Sequence, residues 1–229
     1  MTGDVRVMND CTYNRKKLLA GAVIDLLIAA AVLCVFLYLV FRNSGGALSS
    51  AGLSSLKYFT TLSNIFEGIA AGIFAAQLIA VLSGRRESPS RRAFLLKYTA
   101  TAAVSVTFLV VMLFLGPLYS YPAMLRGANF WLHLIVPVVS IAEFIALEDH
   151  YRISLPQSFL CVIPVAVYGL FYLLNILING VGEWPHRNDF YGFVLWGYAV
   201  GAAIFAGIMV LGWLSGLVLR LRCGKKGGS

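Results

Sequence analysis

The sequence predicts an all-α fold, an integral membrane bundle of six transmembrane helices, and three observations carry that prediction. Hydrophobic residues make up 59% of the 229 residues and charged ones only 12%, whereas a soluble domain carries about a quarter charged residues. Six apolar runs reach about 18 residues or more, the length needed to cross a hydrocarbon layer of about 30 Å. The basic residues divide unequally between the connecting segments, 14 on one side against 4 on the other, which is the positive-inside pattern.

The first run, Leu18 to Phe41, follows Arg6, Arg15, Lys16 and Lys17. It is too long for a signal-peptide core and no small-residue cleavage site follows it, so it reads as a true span. The second, Tyr58 to Leu82, begins after Arg42 and Lys57. A basic loop with Arg85, Arg86, Arg91, Arg92 and Lys97 then leads to the third run, Tyr98 to Leu118. The fourth, Trp131 to Leu147, is the shortest, with room to begin a few residues earlier. Arg152 precedes the fifth, Gln157 to Ile178. The sixth, Gly192 to Leu221, is long enough to tilt or protrude, and Arg220, Arg222, Lys225 and Lys226 close the chain.

This arrangement puts both termini in the cytoplasm, and the compact form suggests a bacterial inner membrane. The net charge of +8 follows topology, so no nucleic-acid partner is expected; the expected partners are membrane lipids. The loops are too short for a separate domain. The chain therefore reads as a single six-helix domain over residues 1–226, with Gly227, Gly228 and Ser229 resembling a tag-linker remnant. Cys11, Cys34, Cys161 and Cys223 fall in tails or inside spans, so no disulfide is expected, and no metal-ligand spacing or cofactor motif is present. Tyr119, Tyr121, Trp131, Trp184 and Tyr191 cluster at one set of helix ends, as an interfacial aromatic belt does.

Ionisable groups inside spans are costly, so they mark the places to look for chemistry. Asp25, Glu67 and Glu143 lie in the first, second and fourth spans. Thr60, Ser63, Asn64 and Glu67 follow one another at helical spacings and share a face. His133 enters from the fourth span at a comparable depth. A hydroxyl beside an imidazole is the minimum for an activated nucleophile, with Glu67, Asn64 or Asp189 as candidates to orient the ring. The competing readings are structural: a threonine capping or back-bonding its helix, a histidine held by a backbone carbonyl, and carboxylates paired between helices. Pro137 frees a backbone carbonyl near His133. The fifth loop, Asn179 to Tyr191, holds Trp184 and Asp189 and is either a lid over the site or a plain connector.

The segments Lys57-Tyr-Phe-Thr-Thr-Leu-Ser-Asn64 and Trp131-Leu-His-Leu-Ile-Val-Pro137, with Glu143 ten residues after His133, resemble the androgen-induced membrane protein family. That family includes the androgen-dependent regulator of tissue factor pathway inhibitor and small bacterial relatives. The resemblance runs from about Lys57 to Leu147. It implies a multi-pass threonine hydrolase of fatty-acid esters, with Thr60 as nucleophile and His133 as base; the adjacent Thr61 leaves the register open by one. The expected activity is thus intramembrane hydrolysis of a lipid ester, with Ser63, Asn64, Glu67, Glu143, Trp184 and Asp189 supporting. The alternative is a non-catalytic lipid-binding or transport protein with a polar path through the bundle.

Overall fold

A computed structural model describes residues 14–41, 52–183 and 187–223. They form six long helices: α1 (Arg15–Phe41), α2 (Phe59–Leu82), α3 (Arg91–Tyr119), α4 (Ala128–Leu147), α5 (Leu155–Asn179) and α6 (Tyr198–Cys223). Each is long and apolar enough to cross a membrane. No strand occurs among the described residues. The chain is an all-α, multi-pass bundle, as its hydropathy predicts.

Phe74, Phe94, Tyr98 and Phe144 form a fully buried core, but much of the remaining surface follows lipid as solvent. Large apolar groups such as Leu27, Phe114, Phe171 and Val218 are exposed, while Ala70, Ala71, Ala100, Ala102 and Ala103 are fully buried in α2 and α3. Lipid tails are as apolar as leucine, so helices gain little from hiding large side chains and more from close backbone approach through small ones. Gly68 is one such point: a Cβ there would lie 2.9 Å from the Cβ of Val32 on α1.

Two helix starts differ from the apolar runs. α3 begins at Arg91, just after Pro89 and Ser90, so the loop expected to end at Lys97 is shorter and Lys97 lies two turns inside the helix. α6 begins at Tyr198 and not at Gly192. The carboxylate of Asp189 accepts the backbone N–H groups of Phe193 (2.8 Å) and Val194 (3.1 Å), which holds this stretch in turns before the helix can start.

Both α3 and α4 widen by one residue ahead of a proline. The wide turns cover Val111–Leu115, before Pro117, and Trp131–Ile135, before Pro137. In each, the residue preceding proline reaches back five positions, Gly116 to the carbonyl of Val111 and Val136 to that of Trp131. The next carbonyls along, Met112 and Leu132, would need the N–H that proline lacks. Side chains supply it: the Tyr121 hydroxyl donates to Met112 (2.8 Å) and the Asn64 amide to Leu132 (3.0 Å).

α1 begins and α6 ends at one end of the bundle, here the terminal face. Lys17 pairs with Asp149 across it at 3.5 Å, and Arg220 donates to the carbonyl of Ile153 at 2.9 Å.

Candidate functional site

The polar interior falls into two zones. The first lies where α2 starts and α4 widens, and it is built from neutral groups. Asn64 is fully buried. Its amide nitrogen donates to the carbonyl of Thr60 (2.8 Å) and to that of Leu132 (3.0 Å), so one side chain ties the Thr60 turn of α2 to the residue before His133. Ser63 is buried too; its hydroxyl lies 3.1 Å from the Thr60 carbonyl and 2.9 Å from the hydroxyl of Thr107 on α3. Thr60 is half-buried at the edge of this face, and Thr61 is the more enclosed of the two threonines.

His133 is buried, with Nδ1 at 2.7 Å from the carbonyl oxygen of Met124. A carbonyl only accepts, so Nδ1 carries the hydrogen and Nε2 of the neutral ring keeps its lone pair. The ring is thus oriented by the backbone of the short helix Tyr121–Met124, and not by Glu67, Asn64 or Asp189. Among the described residues no hydrogen bond joins Thr60 to His133.

The fifth loop covers the start of α2. Asp189 is buried and accepts the Tyr172 hydroxyl at 2.5 Å. The N–H of Phe59 donates to the Tyr191 hydroxyl (3.1 Å), and the Tyr168 hydroxyl donates to the carbonyl of Lys57 (2.7 Å). Burial pushes the Tyr191 hydroxyl up to about 12, so it stays neutral and serves as a hydrogen-bonding cap. Trp184 lies outside the described residues. Beneath the loop, α5 stands away from α2 and α3 around a cavity of about 730 Å³. Phe66, Leu160 and Val167 line its apolar part, and Lys57, Ser63 and Asn175 contribute polar groups. The Lys57 ammonium sits 5.0 Å from the centre of the Phe190 ring. Ser63 lines the cavity, but Thr60 and His133 do not.

The second zone lies nearer the terminal face and is ionic. Lys97 of α3 is fully buried. Its ammonium donates to Asp25 of α1 (2.5 Å) and Glu67 of α2 (2.8 Å), and lies 3.5 Å from Glu143 of α4. Thr101, one turn further on, donates to Glu67 at 3.3 Å. Glu148, at the end of α4, is buried beside this group; one oxygen each from Asp25, Glu143 and Glu148 lie within 4.8 Å of one another. His150 Nε2 lies 3.3 Å from Glu148. Burial, and then the nearby Glu143 carboxylate, pushes the Glu148 carboxyl well above the usual range.

The residues picked out in the sequence therefore divide. Thr60, Ser63, Asn64 and His133 belong to the neutral zone; Asp25, Glu67 and Glu143 belong to the ionic one; Asp189 organises the loop. Thr101, Glu148, His150 and the Met124 carbonyl carry no signal of their role in the sequence. Lys97 reads there as a loop cation, although Pro89-Ser90 ahead of it is a helix-start signal. Comparison with protein families, with curated proteins and with solved structures yields no match to this chain.

Proposed function

We propose that this membrane protein hydrolyses a lipid ester, with Thr60 as nucleophile and His133 as general base. The observation that carries the reading is the hydrogen bond from His133 Nδ1 to the Met124 carbonyl, which leaves Nε2 as a bare base on a helix that Asn64 pins to the Thr60 turn. The Thr60 hydroxyl attacks the ester carbonyl and its proton passes to Nε2. Collapse of the tetrahedral intermediate expels the alcohol, which takes that proton. Water then attacks the acyl-threonine by the same proton route and releases the fatty acid. Resting sites often hold nucleophile and base apart until substrate closes them, which fits the missing Thr60 to His133 bond. The cavity beneath the fifth loop is of a size and lining suited to an acyl chain. The topology that goes with this reading has both termini in the cytoplasm of a bacterial inner membrane; removing Lys97 from the loop cations leaves their excess on that side intact.

A second reading, a lipid-binding or transport protein without catalysis, is favoured by the ionic zone, because buried charges between spans also mark ion and proton pathways. Labelling with a fluorophosphonate probe separates the two. Wild type is expected to label, Thr60→Ala and His133→Gln to lose the signal, and Thr61→Ala to keep it. Loss with Thr61→Ala alone moves the nucleophile by one residue. No labelling of well-folded wild type, or labelling indifferent to all three changes, removes the hydrolase.

A further inference from the structure

The ionic zone is short of positive charge. It gathers four carboxylates, Asp25, Glu67, Glu143 and Glu148, around one ammonium, all buried. Lys97 donates to Asp25 Oδ1 and Glu67 Oε1 and lies 3.5 Å from Glu143 Oε2, so this one cation is shared among three carboxylates. The Asp25 Oδ2 and Glu143 Oε1 atoms are buried without a hydrogen-bond partner. One oxygen each of Asp25, Glu143 and Glu148 lie within 4.8 Å of one another. Gly21, one turn before Asp25, faces the same group: a Cβ at that position would lie 3.1 Å from Leu78 Cδ1, 3.5 Å from Glu148 Oε1 and 3.9 Å from Glu143 Oε1.

We propose that Asp25, Glu143 and Glu148 form a binding site for a hard metal cation, best matched by Ca²⁺, entered from the terminal face. Three carboxylates offer oxygen donors only, the set preferred by hard cations over zinc or copper. Donor number favours calcium. Mg²⁺ keeps several waters and is held by one or two carboxylates, whereas Ca²⁺ accepts several carboxylates in flexible geometry, and three converge here.

Charge agrees with this donor set: a divalent ion and Lys97 together bring three positive charges to the four carboxyl groups, where Lys97 alone brings one. The sequence has no ligand spacing for this site because the three donors come from α1, α4 and the residue that ends α4. Access follows from the same placement, since Glu148 and His150 lie just past the membrane-crossing part of α4. The site uses neither Thr60 nor His133 and stands independently of the hydrolase reading.

Equilibrium dialysis of the full chain in lipid nanodiscs against radioactive Ca²⁺, after treatment with a chelator, tests it together with melting curves. One Ca²⁺ per chain is expected, with a higher melting temperature and Mg²⁺ binding at least about tenfold weaker. Glu148→Gln is expected to weaken binding by about tenfold or more, while Glu87→Gln, an exposed loop change, leaves it unaltered. Absence of bound Ca²⁺ from the wild type at millimolar concentration overturns the site and assigns the balancing charge to protons. Binding unaffected in Glu148→Gln overturns the ligand set. Should that variant fail to fold, wild-type stoichiometry decides.

Discussion

The two polar zones of the bundle answer the same physical problem in opposite ways. Around His133, every polar group that enters the interior is neutral, and its partners are the Thr107 hydroxyl and backbone carbonyls, one of which is left over where Pro137 interrupts α4. Around Lys97, the groups are charged and pair through one ammonium across four helices. A neutral group taken out of water needs one hydrogen bond, and helix irregularities supply carbonyls at little cost. A charge needs a counter-charge, which only another span can bring. The neutral zone can therefore adjust locally, as the proposed hydrolase requires, while the ionic zone ties α1, α2, α3 and α4 together.

The largest expected effect follows from breaking the ionic zone. Lys97→Met removes the ammonium and leaves its carboxylate partners facing one another in a dry interior. Removing one partner from a buried pair costs about 3–5 kcal/mol, enough to deplete the folded protein, read as loss of the monodisperse peak in size-exclusion chromatography. Adding Asp25→Asn and Glu67→Gln is expected to restore part of the yield. A stable single mutant would mean that the cluster already carries protons or cations enough to do without Lys97.

Asn64→Leu is expected to be less severe. It strips the donor from the Leu132 carbonyl, which has no backbone alternative because Pro137 has no N–H, and from the Thr60 carbonyl, which keeps the hydroxyl of Ser63. One buried carbonyl left unpaired costs about 1–3 kcal/mol. The melting temperature should fall while the protein still purifies, and probe labelling should fall further than stability does, since the tie between the Thr60 turn and α4 is lost. Loss as large as that of Lys97→Met would erase the distinction between the zones.

The sequence made the spans legible because lipid leaves a long, one-dimensional signature, and it also marked Asp25, Glu67 and Glu143 as out of place. What it hid is the partner. Lys97 stands directly against an apolar run that begins at Tyr98, after a stretch rich in arginine, so a count of loop cations absorbs it. Only the helix start at Arg91 reveals that it sits two turns into α3. Likewise, Pro137 announces a freed carbonyl, but that Asn64 takes it depends on how α2 and α4 lie together. The partner of His133, the Met124 carbonyl, has no side-chain signature at all. Pairings between spans separated by tens of residues follow from packing, and no local spacing encodes them.

The smallest expected effect sharpens the comparison from the neutral side. Ser63→Ala removes a hydroxyl that contacts Thr107 and the Thr60 carbonyl. Both remaining groups have substitutes: Thr107 can turn its hydroxyl to a carbonyl one turn back along α3, as threonines in helices do, and the Thr60 carbonyl keeps Asn64. Interhelical hydrogen bonds in membranes average about 0.6 kcal/mol, so the melting temperature should barely move. Ser63 also lines the cavity between α2 and α5, where the lost hydroxyl makes the wall more apolar. Binding of a fluorescent fatty acid to that cavity should therefore hold or tighten slightly while stability stays level. A marked fall in stability instead would place Ser63 among the groups on which the bundle depends and extend the rigid zone from Lys97 up to the start of α2.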